Sequence, residues 1–108
     1  SLLEYHHKMD QCAGDVTTEI LAVAHEAESE CKIICRFLHD LLVEKDCSQN
    51  NEDVFLDQLQ EQALELEISL FRLNSHFSIE HKELFQQQLI DFVRMINNRL
   101  AAIIEDES

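Results

Sequence analysis

Proline and tryptophan are absent from this 108-residue chain, and glycine occurs once, as Gly14. Chain reversals between strands rely on Gly, Pro and Asn-Gly pairs, so a sandwich, barrel or meander of short strands is disfavoured and helices remain. One glycine also cannot write a dinucleotide-binding fingerprint or a P-loop, which excludes the usual phosphate cradles. Positive charge is scarce: 8 Lys and Arg stand against 22 Asp and Glu, a formal net charge of −14. Affinity for nucleic acid comes largely from Lys and Arg displacing counterions, so DNA and RNA are excluded as expected partners, and anionic membrane surfaces repel the chain for the same reason. Long apolar runs are missing too. The run Ile20 to Ala24 is far short of the roughly 20 residues of a spanning helix. The chain opens on Ser1 rather than Met and shows no basic stretch followed by an apolar one, so no signal peptide is expected and the segment reads as excised from a larger protein.

What is present is enough apolar matter, 45% of residues, for one core over residues 1–108. At about 100° per residue, Leu2, Tyr5, Met9, Ala13, Val16, Ile20, Val23, Ala24, Ala27, Cys31, Ile34, Cys35, Leu38, Leu41 and Leu42 share one face. The stripe does not drift, which predicts a straight helix from Leu2 to Glu44, about 64 Å long at 1.5 Å per residue. Gly14 followed by Asp15, Thr17 and Thr18 is its one weak point, because glycine is unfavourable inside a helix and Asp or Thr can cap a new one. Lys45 to Asn51 has no apolar period and reads as a loop.

The second helix carries Leu56, Leu59, Ala63, Leu66, Leu70, Leu73 and Phe77 at alternating spacings of three and four, a heptad seam. A second row, Leu64, Ile68 and Phe71, lies roughly 135° round the same helix. Ser78 is placed to cap a third helix over Ile79 to Ile104, whose apolar face holds Phe85, Leu89, Phe92, Val93, Ile96, Leu100, Ile103 and Ile104. The expectation is therefore an all-α antiparallel bundle of three long helices, the first much longer than the others, or of four if it breaks near Gly14. With an unbroken first helix, Leu2, Tyr5 and Met9 overhang the shorter pair and need cover from a partner or a second copy, unless a break at Gly14 folds them back.

The candidate chemical constellations are weak. Cys31, Cys35 and His39 fall at successive i+4 steps with His25 and Cys47 nearby, but two of them sit in the apolar stripe where free cysteine behaves as a small hydrophobe. Mitochondrial paired-cysteine proteins share the Cys-x3-Cys spacing, yet their second pair would need cysteine where Asn51 stands. Glu4-x-x-His7 matches half of a di-iron motif without its second copy. His25 resembles the acceptor of phosphotransfer bundles in its setting, but Glu28 and Ser29 occupy the positions of their lysine and glycine, and a carboxylate there would repel phosphate. Cys12, Cys47, His76 and His81 show no convergence on a nucleophilic site. No catalytic residue, metal, cofactor or small-molecule substrate is expected.

The expected function is a non-catalytic protein–protein interaction module of a scaffold, adaptor or cytoskeleton-associated protein, with reduced thiols in the cytoplasm or nucleus. It would form a homodimer or dock a partner helix through Leu2, Tyr5, Met9, Leu64, Ile68 and Phe71. The alternative is a secreted, cytokine-like four-helix ligand with paired cysteines.

Overall fold

The computed structural model describes residues 1–12, 17–44 and 50–107, and within them four helices: α1 over Leu2–Gln11, α2 over Thr17–Glu44, α3 over Asn50–Ser75 and α4 over Ile79–Glu107. Their starts follow local chemistry. Ser1 and Glu4 form a capping box at the head of α1, where four backbone N–H groups would otherwise lack partners. The Ser78 hydroxyl accepts from the His81 N–H at 3.0 Å, the cap expected for the last helix.

The single rod expected from Leu2 to Glu44 is not formed. A helix of about 64 Å would outrun the molecule, whose longest extent is 48 Å. Instead α1 lies back against both α2 and α4. Tyr5 shares a hollow with His25, Glu26, Ser29, Glu30 and Ile33 of α2, and Leu2 and Leu3 share another with Ile34 of α2 and with Val93, Ile96 and Asn97 of α4. Ala13, Gly14 and Val16, where the break was anticipated, lie outside the described residues, as do Cys47 and most of the expected Lys45 to Asn51 loop; α3 begins at Asn50, inside that stretch.

One core runs through all four helices. It contains Leu2 and Met9 of α1; Ile20, Val23, Ala24, Ala27 and Cys31 of α2; Phe55, Leu59, Leu66, Leu70 and Leu73 of α3; and Phe85, Leu89 and Phe92 of α4. Among the described residues the stripe predicted for one long helix turns inward on two helices that share a single interior, with Leu2, Met9, Ile20, Val23, Ala24, Ala27 and Cys31 buried. This removes the overhang. Leu2 is 6% and Met9 0% exposed, with Tyr5 packed half-buried beside them. The chain covers Leu2 and Met9 itself, where an overhang would have left them to another chain.

α3 is the most engaged element, packing extensively on both α2 and α4, whereas α2 and α4 meet only slightly. The cross-links are polar and specific. Lys32 of α2 lies 3.2 Å from Glu67 of α3, the Ser69 hydroxyl of α3 hydrogen-bonds Gln88 of α4, and Gln86 of α4 donates to the His6 carbonyl and the Asp10 carboxylate of α1. Of these groups Ser69 and Gln86 are buried and need partners, and the bonds bring the helices into defined register. No described helix is long and apolar enough to cross a membrane.

Candidate functional site

The two rows on α3 have opposite fates. Leu59, Leu66, Leu70 and Leu73 of the inner row are buried, with Leu56, Ala63 and Phe77 half-buried. Phe55, which the heptad reading passed over, joins them, and the Arg99 guanidinium sits 5.6 Å from its ring centre. The outer row stays in solvent: Leu64 is 56%, Ile68 44% and Phe71 71% exposed. Helical spacing places these three side chains along one line of the outward face, an i, i+4, i+7 set. Of the six residues expected to make contact with another chain, the structure brings these three together on one surface and puts Leu2 and Met9 inside.

The row borders a groove of about 490 Å³ between α2 and α3, lined by Lys32, Cys35, Arg36 and His39 on one wall and Gln60, Ala63, Leu64 and Glu67 on the other. Lys32 bridges the walls. Its ammonium lies 3.0 Å from Glu28 and 3.2 Å from Glu67, and donating to Glu28 first, then to Glu67, holds it above the usual lysine range. Glu28 is itself largely buried, a carboxylate that Lys32 neutralises. On the α2 wall Arg36 is the cation beside the apolar row, Lys32 being taken up by Glu28 and Glu67, while exposed Glu61 and Glu65 lie on α3 itself. Leu64 belongs to both groove and row, which makes the two features one continuous surface.

Other exposed apolar side chains are Leu3 on α1, Ile33 and Phe37 on α2, Val54 on α3, and Ile79, Leu84 and Leu100 on α4. Leu100 continues the inward stripe of Leu89, Val93 and Ile96, yet it is 46% exposed.

The thiol and imidazole constellations come apart. Cys31 is buried, and burial pushes its thiol far above the ordinary range, with Cys35, Glu28 and Glu30 adding to the effect. Cys35, raised by burial as well, points its sulfur at the Leu59 carbonyl, 3.9 Å away. His39 lies beside Asp40 at 3.5 Å. Such thiols are inert packing groups, since thiolate is the ligand and the nucleophile. Cys12, Cys31 and Cys35 are free. His81 Nδ1 donates to the His76 carbonyl, 2.8 Å away, a tie across the α3–α4 junction.

One grouping escaped the sequence reading. His6, His7 and Asp10 on α1 bring their ligand atoms within 4.8 Å of one another, the only such set of three among the described residues. His7 was weighed there only with Glu4, which instead bonds the chain's amino terminus at 3.3 Å. The signal available was the i, i+1, i+4 spacing of the three residues; what made it invisible was Gln86, an α4 residue that only folding brings alongside.

No family model, curated protein or solved structure matches this chain.

Proposed function

We propose that the protein is a non-catalytic interaction module, an up-down-up-down antiparallel four-helix bundle whose α3 outer face docks an amphipathic helix from a protein partner. The antiparallel order is supported by pairs that run in opposite senses: on α2 and α3, Lys32 goes with Glu67 and Cys35 with Leu59; on α1 and α4, Met9 goes with Lys82 and His6 with Gln86. The observation that carries the functional reading is Phe71, a large aromatic that is 71% exposed in line with Leu64 and Ile68. Apolar anchors at this spacing are what a helix-in-groove contact reads, and aromatic anchors dominate the energetics of such contacts. The charges beside the row match an occupant with acid toward Arg36 and base toward Glu61 and Glu65.

A second copy of the chain is the other occupant of the same face. Self-association must overcome repulsion between two bodies of net charge −14, so the partner helix is preferred, though a homodimer uses the same residues. Cytoplasmic or nuclear residence in a scaffold, adaptor or cytoskeleton-associated protein, without nucleic-acid, membrane or small-molecule partners, belongs to this reading.

The test is Phe71→Glu. Because the side chain is exposed, helicity and unfolding midpoint should stay within about 0.5 kcal/mol of the parent. Binding to the partner, or self-association measured by sedimentation at two concentrations, should weaken by at least roughly tenfold. An unchanged association with intact helicity would remove α3's outer row from the interface.

A further inference from the structure

We propose that His6, His7 and Asp10 form a binding site for a late first-row divalent cation, Zn²⁺ in the first instance, with water completing its shell. Two imidazoles and a carboxylate are a borderline N/O donor set, suited to zinc and its neighbours rather than to calcium or magnesium, which take oxygen. All three ligand atoms already lie within 4.8 Å of one another. His6 Nδ1 and Asp10 Oδ2 are 3.7 Å apart, too long for a hydrogen bond. That gap is close to the roughly 3.4 Å separating two donors that each stand about 2.1 Å from a tetrahedral ion. His7 is exposed, so its side chain can turn to close the remainder at little cost.

The carboxylate is also held in place from outside. Gln86 of α4 is 94% buried and donates from Nε2 to Asp10 Oδ1 at 2.8 Å and to the His6 carbonyl at 3.2 Å. Oδ1 is thereby occupied and Oδ2 is left aimed at His6. Outer partners of this kind fix the orientation of metal-binding carboxylates, and losing one typically costs 10- to 100-fold in affinity. The His6 and His7 rings stand edge to face with centres 5.9 Å apart, so neither shields the other's nitrogens by stacking. The Lys82 ammonium, a charge of the same sign as the ion, donates to the Met9 carbonyl at 3.5 Å.

The experiment is a calorimetric titration of the whole chain with ZnCl₂, beside His7→Ala, Asp10→Asn and Gln86→Ala, with Co²⁺ absorption as the second readout. Expected are one ion per chain, a loss of at least about tenfold in affinity for each of His7→Ala and Asp10→Asn, and a 10- to 100-fold loss for Gln86→Ala. His7→Ala touches only an exposed side chain, so its circular dichroism should match the parent. Co²⁺ should give only the weak visible bands of nitrogen and oxygen ligands. Absence of uptake, uptake insensitive to His7→Ala and Asp10→Asn, or intense thiolate charge-transfer absorption, which would place the ion on cysteine, each overturns the site.

Discussion

Met9 is the residue at which the two possible readings of the N-terminal helix diverge most. As an overhanging interface residue it would be dispensable to the folded monomer; in the structure it is fully buried between α2 and α4. Met9→Ala should therefore destabilise the isolated chain by about 2 to 5 kcal/mol in urea unfolding, the range for truncating a large core side chain. A change below about 0.5 kcal/mol would return Met9 to the surface. Cys31 carries a pH-dependent prediction. Its thiol stays protonated in the fold because burial penalises the thiolate, whereas in the unfolded chain it ionises around the ordinary value of 9.0. The raised folded-state value means that this contribution to stability is complete below that pH and is lost as pH climbs above it. Urea midpoints should fall more steeply above pH 9 in the parent than in Cys31→Ala, and parallel curves would show that the thiol is hydrated.

At the scale of elements, α1 depends on its surroundings more than the others do. Ten residues are too few for an isolated helix to be stable in water, so it persists through the burial of Leu2 and Met9 and through Gln86. α4 is fastened at its start instead. The bond from His81 N–H to the Ser78 hydroxyl satisfies a donor that the helix cannot satisfy itself. Ser78→Ala should cost about 1 kcal/mol, read from denaturant unfolding, and Ser78→Asp should recover it. Equal stability of the alanine variant and the parent would show that water serves that N–H as well. The Ser78 cap was legible from sequence because capping is local, involving residues three apart. The helix pairing was not, since Lys32 and Glu67 are neighbours only after the chain has turned back on itself.

Across the whole molecule, the dominant force beyond the core is charge of one sign. Twenty-two acidic groups against 8 basic ones crowd a body of 48 × 25 × 18 Å, and self-repulsion at such density weakens the compact state. Raising salt from about 0.01 to 1 M shortens the screening length from roughly 30 to 3 Å. The melting temperature should rise over that range; a fall would mean that ion pairs such as Lys32 with Glu28 and Glu67 outweigh the repulsion. The same screening should strengthen self-association if a second copy occupies α3's outer row, and weaken docking of a helix held by Arg36.

Composition and periodicity alone determined that this chain is helical, which faces are apolar, and that α3 has one apolar row more than its seam requires, because these properties depend on residue type and on spacing of a few positions. They could not determine that the first stripe bends back on itself. A face pattern records which side of a helix is greasy and is silent about whether its two ends point the same way, so one rod and two folded segments share the same periodicity. Only the tertiary structure decided that Leu2 and Met9 face their own neighbours, that Leu64, Ile68 and Phe71 do not, and that Gln86 stands behind Asp10, since each rests on contacts between segments far apart along the chain.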